Sequence, residues 1–313
     1  MALFVNTNVT SLNAQRNLAN ATLALDSTYT RLSSGLRINS ARDDAAGLQI
    51  SDRLTSQING LYQGNRNAND GIALAQIMEG ALDETTSMLQ RIRTLAIQSA
   101  NGTNTSIDRR SIQDEITQLS LEITRIACKT TYAGQQCLAG PKGVLNSQGK
   151  CIFHVGAYTQ DTLDISMSTG FTLSGICQIS NAAWDNSTDI TTAAGVGDPT
   201  YGMKLDSNGS LLFSVTSQAL AEACIARVDT IINNVDTKRA ELGAIENRME
   251  STIRNQSNVR ENVSDARSRM RDTDYAEETA NLTAEQILQQ ASTSILTQAN
   301  QKPQIALSLL QGG

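Results

Sequence analysis

From position 228 onward, every seventh residue reads Val228, Val235, Leu242, Met249, Gln256, Val263 and Met270. Offset by three from these lie Ile231, Lys238, Ile245, Thr252, Val259 and Ala266. This 3-4 alternation predicts a long helix over 216–270 with one narrow apolar seam, lapsing at Lys238, Thr252 and Gln256. A helix of this kind cannot bury its seam alone, so the rest of the chain must supply partners.

Two regions supply them. Over 45–100 a helical face is set by Ile50, Leu54, Ile58 and Leu61, then by Leu74, Met78, Ala81, Thr85, Met88, Ile92, Leu95 and Ser99. Gly60, Gly64, Gly71 and Gly80 interrupt it. Each costs about 1 kcal/mol relative to Ala in a helix interior, which predicts close approach of a neighbouring backbone. NGTNTS at 101–106 is a turn, and a shorter helix follows with Ile112, Ile116, Leu119, Ile123 and Ile126 on one face. Both helices are expected to cover the 228–270 seam.

The ends of the chain carry their own apolar faces. Val5, Val9, Leu12, Ala19 and Leu23 form one, and Leu18, Leu25, Tyr29, Leu32 and Leu36 continue it with a slight rotation. At the far end come Ala284, Ile287, Leu288, Ala291, Ile295, Ala299, Ile305, Ala306, Leu309 and Leu310. Pro303 is predicted to kink this last helix or limit its final turn. The two terminal segments are natural partners, and their leftover apolar faces imply burial against other copies. LSSGLRINSARDDAAG and RDTDYAEETANL read as connectors. In them Arg37, Arg42, Asp43 and Asp44 are expected to form local ion pairs, and Glu277 and Glu278 to be solvated.

Between about 130 and 215 the helical period disappears. CIFHVGA and DTLDISM read as strands around a turn near 156–160, and 140–150 as a loop. GFTLSGICQIS is expected to hold another short strand, and 181–202 to be an exposed loop. The predicted fold class is therefore mainly α: a long-helix bundle with coiled-coil terminal helices, a small β-hairpin and a short irregular outer region.

Composition narrows the function. Aromatic residues are 4% of the chain and prolines number 3, which suits long helices better than a bulky enzyme core. The net charge is −6, with no basic cluster interleaved with aromatics, so a nucleic-acid partner is not expected. No run of apolar residues is long enough to span a membrane. The N-terminal stretch lacks the basic and apolar regions of a secretory signal peptide. His154 is the only histidine and sits in a predicted strand, so a histidine-based triad would have to use it. GxGxxG, GxxxxGK[ST] and HExxH are all missing. Neither catalytic residues, nor a cofactor, nor a metal site is expected, and the chain does not read as an enzyme. The five cysteines, at 128, 137, 151, 177 and 224, form no CxxC.

Several long segments resemble bacterial flagellin. They are LSSGLRINSARDDAAGLQISDRL at 32–54, NANDGIALAQ at 67–76, LQRIRTLAIQSANG at 89–102 and IQDEIT at 112–117. Towards the other end come LGAIENRMESTI at 242–253, NVRENVSDARSRMRDTDYAEETANLT at 258–283 and ILQQASTSILTQANQ at 287–301. The resemblance spans 1–165 and 215–313.

It implies a structural subunit that self-assembles into the flagellar filament, an extracellular propeller for swimming. The alternative is a minor flagellin or a hook–filament junction-type protein. The implied layout is an inner-core helix and connector at 1–44, and outer-core helices with a β-hairpin, near 132–157, within 45–165. A short variable exposed region at 166–215, an outer-core helix at 216–271, and a connector with the second inner-core helix at 272–313 complete it. Val5, Val9, Leu12, Leu25, Leu32, Leu288, Ile295 and Leu309 are the polymerisation-core residues. The family further implies type III export without a cleaved signal peptide and an export chaperone at the C-terminal segment. Filament cap and hook-junction proteins are further partners, and a host innate receptor for flagellin would meet Arg91, Leu95 and Glu115. Cysteines are unusual for the family. In an oxidising extracellular setting Cys137 and Cys151, which flank the predicted hairpin loop, form the candidate disulfide, with Cys177 and Cys224 a second pair.

Overall fold

Long helices dominate the computed structural model, which describes residues 7–140, 143–167, 169–182, 203–205 and 211–311; for 178–182, 204–205 and 302–311 it describes the backbone alone. Val5 and most of the predicted 181–202 loop lie outside the described residues, as does the side chain of Leu309. The chain divides into two units, one formed by 1–59 with 259–313 and the other by 60–258.

In the first unit, helix α1 (Val9–Ser34) starts where the Asn8 side chain accepts from the Ser11 N–H at 3.1 Å. It stops at Gly35, whose left-handed φ of 70° returns its N–H to the Arg31 carbonyl. Helix α6 (Tyr275–Gln311) runs antiparallel to it. Asn8 Nδ2 donates to the Ala299 carbonyl at 2.7 Å, and Gln286 Nε2 to the Tyr29 hydroxyl at 3.2 Å. Ala14, Leu25 and Ala299 are buried along the pair. Helix α6 continues through Pro303 to Gln311, so the proline does not end it. One expectation fails here. Glu278 is buried rather than solvated, because it faces Arg31 across the pair at 3.7 Å.

Backbone hydrogen bonds tie the two connectors together, and Asp43 and Asp44, expected to form local ion pairs, close turns instead. The Arg37 N–H donates to the Arg271 carbonyl at 2.7 Å, and the Thr273 N–H to the Gly35 carbonyl at 3.0 Å. The Arg37 guanidinium donates to the Met270 carbonyl. Asp44 caps the next helix by accepting from the Gly47 N–H. Asp43 accepts from the Asn39 and Ser40 amides and the Ser40 hydroxyl at 2.9–3.1 Å. Short carboxylates beside free N–H groups close turns in preference to reaching for guanidinium groups.

The Ser40 hydrogen bonds hold the Asp43 carboxyl below its ordinary value. The turn is therefore supported above the unfolded aspartate range and loses that support as pH falls through the lowered folded value. The Asn39 and Ser40 amide resonances should titrate with a midpoint below the ordinary aspartate value. Asp43→Asn should remove the titration; a midpoint at or above the ordinary aspartate value would contradict the assignment.

In the second unit, helices α2 (Ala45–Ala100), α3 (Ser106–Lys129) and α5 (Gln218–Arg271) enclose one core; α2 and α5 also contribute residues to the first unit. Met78, Leu82 and Ile92 of α2, Ile116 and Ile123 of α3, and Val228, Val235, Leu242 and Met249 of α5 are buried in it. The predicted seam column is buried from Val228 through Gln256, while Lys238, Ile245 and Thr252 of the offset column stay half-buried. Helix α3 begins with a reciprocal capping box between Thr105 and Asp108. Its buried line passes through Ser120 and Ala127, leaving Leu119 and Ile126 half-buried beside it.

Three antiparallel ribbons complete this unit among the described residues. Strands β1 (Thr131–Tyr132) and β2 (Gln135–Gln136) make the smallest. Strands β3 (Lys150–His154) and β4 (Thr162–Ser166) pair in register Ile152↔Asp164. The main hairpin is thus at 150–166, displaced from the 132–157 span that the resemblance implied. The segment expected as a further strand is helix α4 (Leu173–Ala182). Leu173, Ile176 and Cys177 are all buried, at helical rather than alternating spacing. Strands β5 (Met203–Leu205) and β6 (Leu211–Phe213) follow.

Gln113 fastens β6 to α3. Its Nε2 donates to the Phe213 carbonyl and its Oε1 accepts from the Val215 N–H, both at 2.7 Å. Gln113→Leu would leave the N–H of fully buried Val215 unpaired. It should cost about 1–3 kcal/mol in denaturant unfolding; unchanged stability would rule out this role.

Candidate assembly and recognition surfaces

The α1–α6 pair is built from two amphipathic helices that pack on each other. Val9, Leu12 and Leu23 on α1, and Ile287, Leu288 and Ile295 on α6, are all more than half exposed. Burying one such aliphatic side chain is worth about 1.5–3 kcal/mol, so this surface gains greatly from any matching apolar partner. Of the other expected polymerisation residues, Leu25 is enclosed inside the pair and Leu32 is half-buried.

A second surface lies where α2 and α3 run side by side. Arg91 donates through Nε and Nη2 to Glu115 Oε1 at 2.8 and 2.7 Å. Both side chains are about half exposed, so the pair adds little stability and serves to fix the shape and charge of the surface. Leu95 does not join them. It is 3% exposed and points into the core.

Sequence comparison decides what these surfaces belong to. A profile of the bacterial flagellin N-terminal helical region matches residues 5–142, and one of the C-terminal helical region matches 225–310. The chain is 39% identical to Flagellin B of Vibrio anguillarum, across 99% of this chain and 100% of that protein. The chain belongs to the bacterial flagellin family. It is a structural subunit of the flagellar filament, and its setting is extracellular.

Polar flagellin F of Vibrio parahaemolyticus is 37% identical over the same shares of both chains. These alignments run to 382 positions against the 313 residues of this flagellin, so the relatives carry sequence that it lacks. Among solved structures, a Vibrio parahaemolyticus protein described as flagellar hook-associated covers 73% of this chain and 99% of its own. It has a TM-score of 0.52 at 17% identity, a likeness of fold alone.

The cysteines of this flagellin are thiols in the structure. Cys137 is buried and Cys151, on β3, is half-buried against the same core. Burial pushes both thiols up, and the charge of Cys151 raises Cys137 further. Cys177 donates to Met203 Sδ at 3.6 Å, and burial pushes Cys177 and Cys224 each up to about 12. Such thiols behave as small apolar side chains at neutral pH. His154 is exposed at the end of β3, where its carbonyl accepts from Asn67 Nδ2 at 2.8 Å.

The periodicity could not show two of the polar ties. The Arg91–Glu115 bridge joins separate helices, and Gln113 reaches a strand 100 residues away. Their only signal was a polar residue beside an apolar column.

Proposed function

We propose that the α1–α6 pair is the polymerising element of this subunit. The observation that carries the proposal is the exposure of the apolar residues Val9 and Leu12 on α1 and Leu288 and Ile295 on α6, which we read as one stripe. Repeating copies bury this stripe, and the resulting filament converts rotation into thrust without chemistry in the subunit. Val5 and Leu309 belong to the same apolar patterns in the sequence. The 1–44 and 272–313 segments form the inner core, 45–165 and 216–271 the outer core, and 166–215 the exposed region. Leu288→Lys should stop elongation from filament seeds while the circular dichroism spectrum stays unchanged. Normal elongation by that variant would refute the assignment.

The other partners follow from the same reading. The chain leaves the cell through type III export without a cleaved signal peptide, and an export chaperone holds the 275–313 segment until then. Cap and hook-junction proteins engage the filament ends. A host innate receptor reads the α2–α3 surface through Arg91 and Glu115, with Leu95 supporting that surface from beneath. Charge reversal at both positions should abolish receptor signalling, and full signalling would exclude the surface. In the oxidising medium outside the cell Cys137 and Cys151 close a disulfide. Non-reducing peptide mapping of secreted filaments without that linked peptide would end this part of the proposal. No catalytic activity is assigned. Full-length likeness to filament flagellins favours the filament subunit over a junction protein.

A further inference from the structure

We infer that Asn101 is a self-modification site, converting to aspartate and isoaspartate with Arg109 steering the product. Asn-Gly pairs cyclise because glycine puts no side chain in the way of its own nitrogen. This chain contains Asn59-Gly60, Asn101-Gly102 and Asn208-Gly209, the last outside the described residues. The other two have opposite surroundings.

Asn59 and Gly60 lie inside α2. Helical geometry, with ψ about −42°, holds the Gly60 nitrogen away from the Asn59 amide carbon and engages that nitrogen in the helix. A Cβ at Gly60 would stand 3.0 Å from Ala157, so the backbone is also confined. Asn101 and Gly102 sit in the turn between α2 and α3, both exposed. Nothing lies within 4 Å of the space beside Gly102. The Asn101 side-chain oxygen accepts from the Thr103 N–H at 3.4 Å, which folds the side chain over the following backbone.

The chemistry closes without an outside reagent other than water. The Gly102 nitrogen attacks Asn101 Cγ, the Cγ–Nδ2 bond breaks, and the departing nitrogen leaves as ammonia with the Gly102 proton. Water then opens the succinimide. Addition at Cγ yields aspartate. Addition at the main-chain carbonyl carbon yields isoaspartate, freeing that carbonyl as an α-carboxylate. Arg109 Nη2 already donates to this main-chain oxygen at 3.2 Å, while Arg109 Nε donates to the Ser99 carbonyl at 2.9 Å. A cation on one of two competing carbonyls stabilises the oxyanion formed there. It then pairs with the carboxylate that results. Arg109 is thus a positioning residue that favours isoaspartate and retains it.

The full chain would be incubated at mildly alkaline pH and physiological temperature. Residues 59 and 101 would be followed by peptide mass mapping and isoaspartate by enzymatic methylation. Position 101 should convert while position 59 stays intact. Gly102→Ala fits the open space without strain, so it should slow conversion several-fold at unchanged melting temperature. Arg109→Gln should lower the isoaspartate share of the product. Equal conversion at 59 and 101, or none at 101 while an unstructured Asn-Gly peptide converts, would overturn the site. An unchanged product ratio in Arg109→Gln would remove the role given to Arg109.

Discussion

Deleting residues 285–313 should abolish elongation from filament seeds and leave the 60–258 unit with its own melting transition. The basis is the separation of the two sets of apolar contacts. The core built on Met78, Ile116, Val235 and Met249 lies wholly within 60–258. Helix α1, in contrast, packs along α6, with Ala14 and Leu25 buried. With α6 cut back, α1 is an isolated helix of 26 residues with polar interruptions, and isolated helices gain most of their stability from packing. The far-ultraviolet helical signal should therefore fall by more than the deleted residues account for, since α1 melts with them. Seeded electron microscopy reads the polymer, and circular dichroism melting reads the remaining unit. Filaments from the truncated chain would remove polymerisation from the α1–α6 pair. Loss of the 60–258 transition would show that this unit depends on the terminal helices.

How far the sequence reaches depends on whether a residue's role is set by its own helix or by a distant segment. The 228–256 column was legible because burial repeats every heptad, and the structure buries it at each position. Gln256 is the instructive lapse. It reads as a break in the seam, yet it is buried because its Nε2 donates to the Val155 carbonyl of the hairpin turn. Glu278 is similar: a surface carboxylate by local pattern, enclosed because Arg31 faces it. In α4, the run Leu173 to Cys177 is too short for its period to be decided, and tertiary burial settles it as helix. The candidate recognition residues divide in the same way. Leu95 follows the seam and lands in the core, while Arg91 and Glu115 meet only because α2 and α3 fold back on each other. The identity of the protein came from long motifs rather than from any single residue.

The glycines of α2 yield the second large effect, a reversal of sign along one helix. All four were expected to admit a neighbouring backbone. Gly60 and Gly64 do, against Ala157 and Val155, while Gly71 meets the Met249 side chain and Gly80 faces open space. At Gly80, alanine removes backbone freedom from the unfolded chain and strikes nothing, so Gly80→Ala should stabilise by about 0.5–1 kcal/mol. At Gly71, the nearest atoms are the end of the flexible Met249 side chain, which can move aside. Gly71→Ala should be close to neutral. At Gly64, the new methyl would fall on the Val155 carbonyl. That carbonyl cannot retreat freely, because the Val155 N–H is bound to the Asp161 carbonyl at 2.9 Å and its oxygen holds Gln256. Overpacking against such a fixed group costs about 1–3 kcal/mol, more than the propensity gained, so Gly64→Ala should destabilise. For a unit of this size each kcal/mol moves the melting temperature by about 2–4 °C. Calorimetry of the unpolymerised variants should order them Gly80→Ala, Gly71→Ala, Gly64→Ala from highest to lowest. A Gly64→Ala protein as stable as Gly80→Ala would mean that the hairpin turn is not seated on α2, and that Gln256 is buried for some other reason.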